Sequence, residues 1–195
     1  SYFQQPKIAS IIAFILLYRF GEAMLLKLVS PFLLDKPEAG GLGLSTAEVG
    51  LVYGTFGVLA LIIGGILGGI IVAKYGLRKT ILPLALALHL PNLFYVYMAA
   101  TQPPLSVVLL LVALEQFGYG MGLTAFMVYL MKIAKEPYQT SFYAISTGIM
   151  ALGMMIPGLI SGYLQQEIGY KAFFIVVCGL AVVGIATIFF LPWDE

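Results

Sequence analysis

Six apolar segments, at about 8–34, 47–73, 80–100, 105–131, 142–164 and 171–191, restrict this chain to a bundle of membrane-crossing helices. A helix needs about 20 apolar residues to cross about 30 Å of hydrocarbon, and each segment meets that length. Strands are excluded, because an open sheet edge leaves backbone groups unpaired in lipid. The connections are short, so successive helices are expected to be antiparallel neighbours. Of the residues, 61% are hydrophobic and 10% charged, against about 45–50% and about 25% in soluble domains. The expected class is an all-α membrane protein with the lipid bilayer as its main partner.

Several function classes fall away. The net charge is only +1, so no basic field suits nucleic acid. No metal-ligand cluster, nucleophile triad or phosphate-binding loop can be read, so no enzyme, cofactor or metal is expected. The Gly64–Gly69 cluster lies inside a span and lacks the strand–turn–helix context of a nucleotide loop. Cys178 sits in an apolar run and reads as a small hydrophobe. The first run is too long and too charged for a cleavable signal peptide. The start at Ser1 rather than Met points to a fragment.

Basic residues orient the bundle. Lys7, the cluster Lys74, Arg78 and Lys79, and the pair Lys132 and Lys135 fall on one side, with only Lys36 and Lys171 on the other. That places both termini in the cytoplasm. Trp193 suits an interfacial anchor where the last helix leaves the membrane. The connection from Asp35 to Thr46 contains Pro37 and three glycines, and mobility is expected there.

Arg19 and Glu22 stand in the middle of the first span. A charge at the bilayer centre costs roughly 2.5–3.5 kcal/mol on insertion scales, which a passive anchor has no reason to bear. At about 100° per residue, Arg19, Glu22 and Ser30 share one face, with Lys27 at its edge. On the fourth span Glu115, Tyr119, Gly122, Phe126 and Tyr129 share a face, with Gln116 beside it. Arg19 lies about 18 Å from one end of its span and Glu115 about 16 Å from the opposite end of its own. Both therefore fall near the midplane of about 30 Å. Arg19 is expected to pair with Glu115, Glu22 or both. A midplane cation can hold a carboxylate in bidentate geometry. A midplane carboxylate can carry a coupling proton, since desolvation and a nearby cation act on it in opposite senses. The competing explanation is a buried salt bridge that only locks two helices. His89 and Asn92 lie near Pro91 in the third span, as a weaker candidate for proton relay.

The sequence repeats itself. Arg19-Phe20-Gly21-Glu22-Ala23-Met24 aligns with Gln116-Phe117-Gly118-Tyr119-Gly120-Met121. Gly65-Ile66-Leu67-Gly68-Gly69 with Gly76 aligns with Gly158-Leu159-Ile160-Ser161-Gly162 with Gly169. The chain thus reads as two three-helix units, 1–100 and 101–195. Three spans each force opposite topologies, which is the inverted-repeat organisation of a six-helix transporter half. Gly64-x-x-x-Gly68, Gly65-x-x-x-Gly69 and Gly158-x-x-x-Gly162 permit close helix approach.

The segment from Gly69 through Lys74, Gly76, Arg78 and Lys79 resembles the cytoplasmic loop motif of the major facilitator superfamily, with Ala73 where an acidic residue is usual. Leu17-Tyr18-Arg19-Phe20-Gly21-Glu22-Ala23, Ala47-Glu48-Val49-Gly50-Leu51-Val52, Leu114-Glu115-Gln116 and Gly120-Met121-Gly122-Leu123-Thr124-Ala125-Phe126 resemble the AmpG-like muropeptide permeases in their C-terminal half. The resemblance covers nearly the whole chain. It implies half of a major facilitator fold in a bacterial inner membrane, importing a muropeptide or similar sugar–peptide with protons. Arg19, Glu22, Glu115, Gln116, Tyr119 and Lys27 are its implied solute-binding or ion-coupling groups. The partner would be a missing N-terminal six-helix half, without which the exposed polar face would drive an artificial homodimer. The alternative is a non-transporting signalling or assembly module whose buried charges only lock helices.

Overall fold

The computed structural model describes residues 2–193, and every regular element among them is helical. Span 1 is Ile8–Leu34, span 2 Thr46–Tyr75, span 3 Leu77–Thr101 and span 4 Leu105–Ile133. The last helical stretch, Gln139–Phe190, has 52 residues, more than twice what one crossing needs. It reverses at Gly169, where φ 78° and ψ 167° interrupt the helix. Its neighbours trace the reversal. Gly153 packs on Leu16, Gly158 on Lys27, and Tyr170 bonds Asp35 at the far end of span 1. The chain then returns, with Val177 and Ala181 against Gly21 and Gly184 against Leu17. Spans 5 and 6 are therefore 139–168 and 170–190, which makes six crossings among the described residues of a multi-pass integral membrane protein. Gly76, between spans 2 and 3, also has positive φ, 81° with ψ 147°, a conformation in which a side chain would be strained.

Local chemistry sets the other ends. Ser45 caps span 2. Its Oγ accepts from the Glu48 amide at 3.3 Å, and a Glu48 carboxylate oxygen accepts from the Ser45 amide at 2.7 Å, a complete capping box. The loop before it is not the mobile connection expected from its glycines. Pro37–Ala39 form a 3-10 turn. Leu42 and Leu44 donate backbone bonds to Phe32 and Leu33 at 2.9 and 2.8 Å. Tyr170 donates to Asp35 at 2.6 Å, and Gln102 reaches the Gly41 carbonyl at 3.3 Å. Backbone pairing with the end of span 1 overrides local glycine freedom.

Small residues decide which helices touch. Gly64 and Gly68 of span 2 lie against the backbone of Phe117 and Met121 in span 4, and Gly120 answers against Leu61 and Gly65. On another side of span 4, Gly118 and Gly122 press on Ala87, Leu84 and Leu88 of span 3. Span 4 is thus wedged between spans 2 and 3, as span 1 is between spans 5 and 6. Such contacts bring dispersion attraction between backbones, which is what holds helices together in lipid. The Gly158-x-x-x-Gly162 pair packs at one end only, because nothing lies within 4 Å of a Cβ placed on Gly162.

Candidate functional site

The buried core is split across its middle. One apolar cluster holds Ile11, Phe14, Tyr18, Leu88, Phe126 and Leu130. The other holds Met24, Leu25, Phe32, Tyr95, Val112 and Phe174. Between them, on three spans, run the buried polar pairs Arg19 and Glu22, His89 and Asn92, and Glu115 and Gln116. All lie near the middle of their spans.

Arg19 owes its position to a break in span 1. Its two helices, Ile8–Leu17 and Phe20–Leu34, stop on either side of Tyr18 and Arg19. Arg19 sits at φ −105° and ψ 7°, in the sparsely allowed bridge region. The expected ion pair does not form. Arg19 is 5% exposed, and its Nη2 donates to the Tyr119 hydroxyl at 2.6 Å. Nη1 donates to the sulfurs of Met150 and Met154 at 3.6 and 3.4 Å. Arg19 Cζ is 5.7 Å from the Tyr119 ring centroid, within cation–π range. Arg19 ties span 1 to spans 4 and 5, and hydrogen-bonds neither carboxylate. A short, charge-assisted bond to a phenol takes the place of the expected pair.

The two carboxylates are held differently. Glu115 accepts at one oxygen from Tyr95 at 3.1 Å and from Gln116 Nε2 at 2.9 Å. Gln116 spends its other amide proton on the Tyr53 hydroxyl at 3.1 Å. Glu22 is 0% exposed, yet both its oxygens lack a hydrogen-bond partner in the protein. It lies near enough to Glu115 and Arg19 to feel their charges. His89 packs edge-on to Tyr18 with ring centroids 5.2 Å apart, and the Asn92 amide finds no hydrogen-bond partner.

The sequence-based site is therefore assembled in part. Arg19, Glu22, Glu115, Gln116 and Tyr119 share one belt. Lys27 does not join them. It is exposed, with its stem along Gly158 of span 5, and Ser30 is exposed as well. The loop motif is separate. Gly69 packs on Thr124, and Lys74, Arg78 and Lys79 are exposed around the Gly76 turn. Sequence reasoning missed Tyr53 and Tyr95. The signal for Tyr53 was the run Gly50-Leu51-Val52-Tyr53-Gly54-Thr55-Phe56-Gly57, whose three glycines weaken an ordinary helix. Gly50–Gly57 is π-helical, a geometry concentrated at functional sites. Tyr95 follows Asn92 by one helical turn, but its partner is distant in sequence.

The chain is 28% identical over 175 residues to the anhydromuropeptide permease of Escherichia coli (strain K12), covering 90% of this chain and 35% of that protein. It is 27% identical over 191 residues to the putative transporter AmpG 2 of Rickettsia prowazekii (strain Madrid E), covering 98% of this chain and 45% of the relative. Against the putative transporter AmpG 4 of Rickettsia felis it is 24% identical over 190 residues. The chain thus spans less than half the length of these relatives. The model of the Major Facilitator Superfamily matches residues 11–195. This is a family of transporters, not enzymes, and the chain belongs to it.

Proposed function

We propose that the chain is the C-terminal six-helix half of a proton-coupled secondary transporter whose solute is an anhydromuropeptide or a similar sugar–peptide. The observation that carries this reading is the buried polar belt, set at mid-depth in a member of a transporter family. Three spans bring charged or hydrogen-bonding groups to one level, where lipid gives them nothing to bind. The names of the E. coli and Rickettsia relatives support the solute class.

Two three-helix units, 1–100 and 101–195, are supported by the way span 4 packs between spans 2 and 3 while span 1 packs between spans 5 and 6. Gly76 and Gly169, aligned by the repeat, have nearly the same dihedrals. The distribution of lysine and arginine supports cytoplasmic termini in an inner membrane. The exposed faces of spans 2 and 5, with Ile62, Ile66, Leu152 and Leu159 outward, are available to lipid and to the missing N-terminal half.

Within the belt, Glu22 is the group assigned to the coupling proton. An ionised carboxylate with no donor is costly to bury, so protonation there changes the energy of the bundle most. Glu115 already has two donors and is assigned to structure around the path. The helix-locking module leaves Glu22 unexplained, because a buried carboxylate with no hydrogen-bond partner locks nothing. The test is uptake of radiolabelled anhydromuropeptide by the full-length protein in membrane vesicles. Arg19→Ala and Glu22→Gln are expected to abolish accumulation. Wild-type uptake in both variants overturns the assignment.

A further inference from the structure

The buried charges of the belt are out of a solute's direct reach. Arg19, Glu22, Glu115 and Gln116 are each at most 5% exposed. Two phenols at the edge of the belt are not so deeply covered, Tyr53 on span 2 and Tyr119 on span 4, both half-buried. Each phenolic oxygen accepts from a buried donor, Gln116 at 3.1 Å for Tyr53 and Arg19 at 2.6 Å for Tyr119. A phenol whose oxygen accepts still has its own proton to donate, and the bond it accepts makes that proton a stronger donor. Tyr119, Glu22 and Glu115 all lie near enough to Tyr53 to act on it electrostatically. Tyr53 is tied to span 4 through Gln116, and Tyr119 stands three residues further along that span.

Lipid is a poor neighbour for such a pair, because hydrocarbon offers no acceptor. The local backbone departs from an ordinary helix where Tyr53 is presented. Gly50–Gly57 is π-helical, with the Thr55 hydroxyl donating to the Gly50 carbonyl at 3.4 Å. A Cβ on Gly57 would lie 3.3 Å from Gln116 Cγ, so this glycine lets the π-helical stretch sit directly over the donor of Tyr53. Glu22, fully buried and without a partner, marks the same region as one whose polar demand the protein alone does not meet.

We propose that Tyr53 and Tyr119 form a two-phenol rim that donates hydrogen bonds to acceptor oxygens of the transported solute, with Gln116 and Arg19 as the residues that position them. The inference rests on the sugar–peptide transport reading and deepens it. Arg19 acts through Tyr119 rather than by gripping a carboxylate. Tyr53 becomes a solute contact on a span that carries no buried charge.

The experiment uses the full-length protein in proteoliposomes, with radiolabelled anhydromuropeptide as probe and its free sugar and free peptide parts as competitors. Tyr53→Phe keeps the ring and removes one donor. It is expected to weaken probe binding about three- to tenfold, and to weaken competition by one part while sparing the other. Tyr119→Phe is expected to do the same. Unchanged probe binding in both variants overturns the proposal. An equal loss against both competitors, with a lowered melting temperature, assigns the tyrosines to structure and also overturns it. Failure of the wild-type protein to bind the probe removes the transport reading itself, which separates the two failures.

Discussion

Spans 1 and 4 share a sequence core, yet fold around it differently. Span 4 runs unbroken from Leu105 to Ile133, and its carboxylate, Glu115, is satisfied by Tyr95 and by its own neighbour Gln116. Span 1 breaks at Tyr18 and Arg19, and its carboxylate, Glu22, has no hydrogen-bond partner. One helix holds a finished structural arrangement. The other stores an unmet demand beside a strained residue, the usual signature of a site that changes state. Similar sequence is thus compatible with opposite roles, because partners from spans 2, 3 and 5 decide which polar groups are satisfied.

The strongest test exchanges the two carboxylates' fates in the full-length protein. Glu22→Gln is expected to lose all accumulation driven by a pH gradient while retaining solute exchange. Glu115→Gln is expected to retain gradient-driven accumulation at a reduced rate. Vesicle uptake with and without the gradient measures both, and equal behaviour of the two variants breaks the comparison.

Next in size is Arg19→Met. It removes the charge-assisted bond to Tyr119 and the cation–π contact. A hydrogen bond to a charged group contributes about 1.5–3 kcal/mol, so a loss of that order is expected in detergent unfolding. Tyr95→Phe strips one of two donors from Glu115 and leaves the Gln116 donor on the same oxygen, so it is expected to cost less, about 1 kcal/mol. A larger effect for Tyr95→Phe than for Arg19→Met would reverse the ranking of the two spans.

The glycines sharpen the same contrast. Gly118→Ala drives a Cβ into the Ala87 carbonyl of span 3, whereas Gly21→Ala meets the Val177 carbonyl of span 6 at 2.9 Å. Overpacking costs about 1–3 kcal/mol. Gly118→Ala is expected near the top of that range and Gly21→Ala lower. Melting temperatures of the two variants in one detergent decide it.

The sequence carried the fold because lipid leaves few choices. Span lengths, the Gly76 and Gly169 turns and the small-residue faces are all local patterns with one physical meaning each. Placement of Arg19 and Glu115 in the middle of their spans was also legible, since it follows from position along the helix. The partner of Arg19 was not. Opposite charges at equal depth suggest a pair, but Arg19 bonds the Tyr119 hydroxyl instead, and the faces that helices turn to one another depend on glycine contacts more than 50 residues apart, such as Gly64 with Phe117. The Asp35–Thr46 connection failed for a similar reason, because composition registers glycine freedom but not the backbone bonds returned by Phe32 and Leu33.

Lys27 separates the belt from its surroundings with the smallest expected effect. It shares span 1 with Glu22 and lies one and a half turns away, but it is exposed and its stem rests along Gly158. An amphipathic side chain of this kind keeps its charge in a wet environment and contributes mostly packing. Lys27→Ala is therefore expected to change stability by no more than about 0.5 kcal/mol, with uptake close to wild type. A loss of accumulation as complete as that of Glu22→Gln would extend the functional surface of span 1 a full turn beyond the belt, and the boundary drawn at Glu22 would have to move.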